Sequence, residues 1–148
     1  MDISIAGFSG EHISGVAQIE RACFSEPWSE KSLELLFTEG YPSFVALCGE
    51  EVLGYVSTCR SLDELQMINL AVREDARGLG IAKRLLAELD RYSAENGIFS
   101  ISLEVRESNT GAIKLYESCH YENVGIRKNF YRRPVENGII MIKKFEDR

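Results

Sequence analysis

The sequence predicts a mixed α/β fold: a central β-sheet of about seven strands with helices on both faces. Three observations point there. Segments that alternate at period two are interleaved with segments of helical spacing, in the order βαα-βββ-α-β-α-ββ. A strand, a loop, a helix and a strand follow one another over residues 65–105, the pattern of a right-handed crossover between parallel strands. The 148 residues suit one domain, 1–148, with no Pro/Ser-rich linker or internal repeat to divide it.

Ile3 and Ile5 alternate with polar neighbours and open the chain as a short strand. Ser9 is placed to cap a helix in which Ile13, Val16, Ala17 and Glu20 recur at helical spacing to about Cys23. Pro27-Trp28-Ser29 breaks the chain, and Ser29 caps a second short helix carrying Leu33, Leu36 and Phe37 that stops at Gly40. Phe44 to Cys48 and Val52 to Cys59 form a hairpin around Gly49-Glu50-Glu51. Leu65 to Val72 is the next strand, and a charged, glycine-bearing loop follows from Arg73 to Gly80. Leu85, Leu86, Leu89 and Tyr92 give a helix from Ile81 to about Ala94, stopped at Asn96-Gly97. In the strand Ser100 to Val105, Ile101, Leu103 and Val105 face one side and Ser102 and Glu104 the other. Ser108-Asn109-Thr110 starts a helix with Ala112, Leu115, Tyr116 and Cys119 on one stripe. Tyr121 to Arg127 and Ile139 to Phe145 complete the sheet.

Composition narrows the function classes. A hydrophobic fraction of 45% and a charged fraction of 27% are those of an ordinary globular domain, and they exclude disordered, collagen-like and coiled-coil chains. No apolar run approaches the ~18 residues of a membrane span. The first basic residue is Arg21, too late for the charged start of a signal peptide. Seventeen Lys and Arg against 23 Asp and Glu leave a net charge of −6, which repels nucleic acid; it is first of all what keeps a small domain soluble, and secondly it favours a basic partner. Cys23, Cys48, Cys59 and Cys119 form no CxxC pair, and His12 and His120 are the only histidines. Neither a metal site nor a Cys–His nucleophile is expected; buried free thiols fit a reducing cytoplasm.

The sharpest local feature is Arg77-Gly78-Leu79-Gly80-Ile81-Ala82, set between a strand and a helix. Unpaired N–H groups at a helix N-terminus favour a phosphate, and glycines let it approach without interference from a Cβ. A flexible turn before an ordinary helix is the plainer reading of two glycines. A P-loop is absent, because no Gly-Lys-Ser/Thr follows. A dinucleotide fingerprint has Lys83 where it needs glycine or alanine, although Glu104 at 24 residues past Gly80 keeps that reading open. The pattern Gln/Arg-x-x-Gly-x-Gly/Ala is satisfied in full by Arg77, Gly80 and Ala82.

That third pattern is the pyrophosphate loop of GNAT acetyltransferases, and the chain resembles them nearly end to end. The matching pieces are Phe24 with Pro27 to Glu30, Asn69 with Ala71-Val72, Arg77 to Ala82, Leu103 to Arg106 with Ser108-Asn109, Ala112 to Ser118, and Arg127 with Asn129 to Tyr131. Within the superfamily they are most similar to the bacterial ribosomal-protein-alanine N-acetyltransferases. The resemblance implies acetyl-CoA as co-substrate and no metal. It assigns the backbone of Leu70, Ala71 and Val72 to the pantetheine arm, and Arg77, Gly78, Leu79, Gly80, Ile81, Ala82 and Lys83 to the pyrophosphate. Asn109 becomes a second coenzyme contact, compatible with capping its helix. Glu104 is the implied proton acceptor, Tyr116 the implied proton donor to the departing thiolate, and Trp28 and Tyr131 flank the acceptor groove. The implied partner is a basic protein N-terminus such as that of a ribosomal protein.

One argument about the acceptor is independent of the resemblance. An α-amine with a pKa of about 8 costs about 1.4 kcal/mol to deprotonate at pH 7, whereas a lysine at about 10.4 costs about 4.6. A single carboxylate acting through a water matches the first better. Lysine or small-amine acetylation, and a silent acyl-CoA-binding module, are the alternatives. The chain also departs from the family. His120 stands at a helix-ending position that wants a positive φ, Glu136-Asn137-Gly138 replaces the usual Glu-Asp-Ala, and Arg132-Arg133 adds charge beside Tyr131.

Overall fold

The structure, a computed structural model, describes residues 2–145. Seven strands form one mixed sheet in the order β1-β2-β3-β4-β5-β7-β6. They are β1 Ser4–Gly7, β2 Phe44–Cys48, β3 Glu51–Ser61, β4 Glu64–Val72, β5 Ser100–Arg106, β6 Glu122–Tyr131 and β7 Glu136–Lys144. The helices are α1 Ile13–Cys23, α2 Glu30–Thr38, α3 Ile81–Glu95 and α4 Thr110–Ser118. Among the described residues only β4 and β5 pair in parallel, the connection through α3 that the 65–105 pattern predicts.

Each face of the sheet is sealed by its own pair of helices. Leu85, Leu86 and Leu89 of α3 and Tyr116 of α4 pack with Leu65, Met67, Ile101 and Leu103 on one side. Val16, Ala17 and Ile19 of α1 and Leu33 and Leu36 of α2 pack with Val45, Tyr55 and Ala71 on the other. β3 runs between the two cores and is buried without a break from Val52 to Thr58, as a strand covered on both sides must be. Among the described residues no helix is long and apolar enough to cross a membrane.

Three local readings change. Ser9 does not cap α1; a 3-10 turn at Gly10–His12 intervenes, and the Ser9 N–H donates to His12 Nδ1 at 3.1 Å. β6 runs on to Tyr131, beyond Arg127, and β7 begins at Glu136 rather than Ile139. β6 is an edge strand exposed along nearly its whole length, so no apolar alternation marks its end. The four cysteines are free but half-buried rather than buried. His120 does adopt the left-handed region, at φ 73°.

The feature that makes a site is an incomplete seam. β4 and β5 are paired only at Glu64–Ser100, Leu65–Ile101 and Gln66–Ser102. Immediately beyond, β4 carries a bulge: its register with β3 jumps from Met67 opposite Thr58 to Asn69 opposite Ser57, leaving Ile68 over. The strands then part, although both continue.

Candidate active site

The gap between the parted strands is a cleft of about 480 Å³, walled by Met67 to Leu70 of β4 and Leu103 to Arg106 of β5. Backbone groups on its two sides have lost their sheet partners and are available to an extended guest. Ile101, Leu103 and Val105 point into the core under α3 and α4. By strand alternation, Glu104 points to the opposite face, where α1 and α2 lie. Its side chain is 13% exposed and its Oε1 lies 3.5 Å from Nε of Arg127 on β6.

Tyr116 reaches the same cleft from the other face. Asn109 begins α4 by accepting the Ala112 N–H on Oδ1 at 3.1 Å, and two turns on the helix delivers Tyr116 into the cleft. Burial holds the Tyr116 phenol above its ordinary value, so it stays protonated throughout the neutral range. The Tyr121 ring supports it at 5.6 Å between centroids.

The rim on the Glu104 side is tied together by a residue that the sequence quotes without a role. The Arg106 guanidinium donates to the carbonyls of Arg132 at 2.9 Å and Pro134 at 3.1 Å, and to Glu136 Oε1 at 3.2 Å. It also lies 4.6 Å from the centre of the Tyr131 ring. Glu136 in turn accepts the Ser108 N–H at 2.6 Å. Hydrogen bonds from Ser108, then Arg106, hold its carboxyl below the usual range. Gly138 completes the arrangement: a Cβ there would meet Phe130 at 3.2 Å and Tyr131 at 3.3 Å. The Glu136-Asn137-Gly138 departure is thus part of the rim. Trp28 and Tyr131 both line the cleft. Burial, and next the Glu104 charge, push the Tyr131 phenol up to about 12.

Behind that rim lies a buried carboxylate. Glu20 of α1 is 1% exposed and accepts from the Tyr55 hydroxyl, from Asn69 Nδ2 at 2.7 Å and from the Trp28 N–H at 3.1 Å. In the sequence it is only one more residue at helical spacing. A carboxylate in an otherwise apolar stripe was the available signal.

The expected coenzyme residues divide. Leu70 and Asn109 line the cleft, whereas Ala71 and Val72 are packed against the two cores. Arg77 to Lys83 lie beyond the cleft, after the end of β4. Gly78 and Gly80 have φ of 80° and 78°, and nothing stands within 4 Å of a Cβ at either. Gly80 is the N-cap of α3, so the N–H groups of Ile81, Ala82 and Lys83 precede its first closed turn and suit an anion. The Ile81 side chain is core, and Leu79 is half-exposed. Arg77 is turned toward α1: Nε donates to the Val72 carbonyl at 3.1 Å and Nη2 lies 3.5 Å from Cys23 Sγ. Among the described residues no group of three or more His, Cys, Asp or Glu could hold a metal ion.

The pattern of the acetyltransferase (GNAT) family matches residues 13–121. This chain belongs to the GNAT acetyltransferase family. It is 33% identical over 127 residues to the ribosomal protein bS18-alanine N-acetyltransferase of Haemophilus influenzae, covering 84% of this chain and 86% of that one. It is 35% identical over 144 residues to an uncharacterised N-acetyltransferase of Methanocaldococcus jannaschii, covering 95% and 90%. The crystal structure of the ribosomal-protein-S18-alanine N-acetyltransferase from Escherichia coli superposes with a TM-score of 0.89 at 29% identity, over 99% of each chain. A GNAT acetyltransferase takes its acyl group from a CoA thioester.

Proposed function

We propose that this GNAT chain transfers the acetyl group of acetyl-CoA to the N-terminal α-amine of a protein, with the N-terminal alanine of a small-subunit ribosomal protein as the acceptor. The observation that carries the reading is that Glu104 and Tyr116 enter one cleft from opposite faces of the sheet. Each reactant then meets its own group.

The pantetheine arm lies along the freed edge of β4, and the pyrophosphate sits on the turn at Gly78 to Lys83. A β4 backbone N–H polarises the thioester carbonyl. The amine enters between Trp28 and Tyr131. Glu104, through a water, takes its proton; the nitrogen attacks the carbonyl carbon, and the C–N bond forms as the C–S bond breaks. Tyr116 donates a hydrogen bond to the departing sulfur. With its phenol held above the ordinary value and a thiol at about 8.5, full proton transfer from Tyr116 is uphill. Its contribution is therefore stabilisation of the thiolate.

Support for the acceptor comes from three directions. Relatives that share most of this chain's length are named for ribosomal-protein alanine. One carboxylate suffices for an amine of pKa about 8 but poorly for lysine. The charge of −6 suits a basic partner. The test is thiol release from acetyl-CoA in the presence of basic, alanine-initiated peptides. Turnover should vanish when the α-amine is blocked and persist when lysines are replaced by arginine. Dependence on a lysine, or binding of acetyl-CoA with no thiol release on any amine, would end this reading.

A further inference from the structure

Glu20 has no part in the reaction above, and among the described residues it makes no ion pair. Its two oxygens instead collect donors from three other segments: the Tyr55 hydroxyl of β3, Asn69 Nδ2 of β4 at 2.7 Å and the Trp28 N–H of the α1–α2 connection at 3.1 Å. A carboxylate held by three such donors acts as an acceptor only. For a phenol and a backbone amide this is no restriction. For Asn69 it is one. A primary amide that gives its NH2 to Glu20 must turn its carbonyl oxygen away from it. Asn69 lines the cleft next to the β4 bulge. Because it bonds to α1, it lies on the same face of the sheet as Glu104. Of the amide's two ends, the oxygen is the one that the Glu20 bond leaves free to face the cleft.

We infer that Glu20 is a positioning residue that holds Asn69 with Oδ1 toward the cleft, where this oxygen accepts a hydrogen bond from the incoming amine. The same carboxylate pins the backbone at Trp28, so that the wall and the acceptor atom are set by one group. The selected ligand chemistry is a primary amine or ammonium, which can only donate to that oxygen. Without the carboxylate the Asn69 amide is free to turn its NH2 inward and face a donor with a donor. Burying a carboxylate carries a large desolvation cost, and an apolar residue would fill the same core position without it. Orientation of its partners is what the carboxylate adds. The inference rests on the amine-transfer reading above, and does not depend on which amine is the acceptor.

The experiment is steady-state kinetics with whichever amine the wild-type chain acetylates, recording acceptor KM, acetyl-CoA KM and the thermal midpoint. Binding of the same peptide to the CoA-loaded protein reads the contact without turnover. Glu20→Gln and Asn69→Ala should each raise the acceptor KM about tenfold with the acetyl-CoA KM unchanged. The double variant should fall well short of the product of the two single rises, since both act on the Asn69 contact, with any excess over Asn69→Ala alone reporting the Trp28 wall. Tyr55→Phe removes a donor from Glu20 and a side-chain contact of Tyr55 with Asn69, but leaves the Glu20–Asn69 bond itself. It should lower the thermal midpoint and keep the acceptor KM within about twofold. Equal KM rises in Tyr55→Phe and Glu20→Gln would reduce Glu20 to a core staple and overturn the inference, as would an additive double variant. If Glu20→Gln does not fold, Asn69→Ala decides, and an unchanged acceptor KM overturns it. Rejection of alanine-initiated peptides in favour of another amine would sink the proposed acceptor while this series is still read with that amine.

Discussion

The two faces of the sheet are built from different materials. Under α3 and α4 the core is aliphatic apart from the rings of Tyr116 and Tyr121, the buried Ser93 and the Lys143–Asp90 pair at 2.7 Å beside Tyr121. Under α1 and α2 the packing is interrupted by a buried carboxylate, a buried phenol and an amide bonded to one another. Apolar packing fixes volume and leaves orientation to shape, whereas hydrogen bonds to a buried charge fix the direction of each partner. A thioester arm lying against a strand needs a slot. An amine that must meet its base needs an oriented wall. The polar elements stand on the side where direction matters.

The largest effect separating the two faces should come from the base. Glu104→Gln keeps shape and removes basicity, and kcat should fall by roughly 10²–10⁴ with acetyl-CoA affinity unchanged. Steady-state kinetics beside equilibrium coenzyme binding checks this; a fall below tenfold would remove Glu104 from the chemistry. On the opposite face, Tyr116→Phe should lower kcat by about ten- to a hundredfold, again with little change in coenzyme affinity. An unchanged turnover number would leave the phenol a packing residue.

A third variant should act on coenzyme alone. Gly80→Ala puts a Cβ at φ 78°, a conformation that costs an L-residue about 1–2 kcal/mol. The turn should shift, raising the acetyl-CoA KM several-fold while the acceptor KM holds. A parallel rise in both would show that the turn and the acceptor wall are not separable.

The smallest effect is shared by the two faces. Tyr55, Tyr116 and Tyr121 are all held above the ordinary phenol value, by burial first. Unfolded phenols lose their protons from about pH 10, when the folded ones still keep theirs. The unfolded state then binds fewer protons, so this contribution to stability is complete below about pH 10 and declines as pH rises above it. Alkaline titration should show the phenolate absorbance of these three rising together with loss of helical circular dichroism. Absorbance that rises well before unfolding would mean that water reaches them.

Much of the frame was legible in the residues themselves. Alternation located seven strands, helical spacing located the helices, and the face of Glu104 followed from its neighbours Leu103 and Val105. What could not be read was pairing. Nothing local to Met67 or Leu103 says that β4 and β5 hold together for three pairs and then separate, because register is a relation between distant segments. The same holds for Arg106, whose partners lie between 26 and 81 residues away, and for Glu20, whose hydrogen bond to Asn69 spans 49. The pattern that predicts β6 stops at Arg127 because an exposed edge strand has no buried face to leave one.

Most sheets keep their raw edges at the rim, where charge or a covering helix discourages a neighbour from zipping on. Here two such edges lie in the interior, facing one another across the parting of β4 and β5. The cleft between them is also bordered by Ala112 and Tyr116 of α4 and by Phe24 and Trp28, so a foreign sheet is fended off while a slim, amide-bearing chain can slip between. The coenzyme would act as a missing rung. The Asn69 N–H is already given to Ser57 Oγ on β3 at 3.2 Å, so it is the β4 amide protons on the cleft side, that of Leu70 among them, that should exchange quickly in the empty protein and slow once that guest is in place.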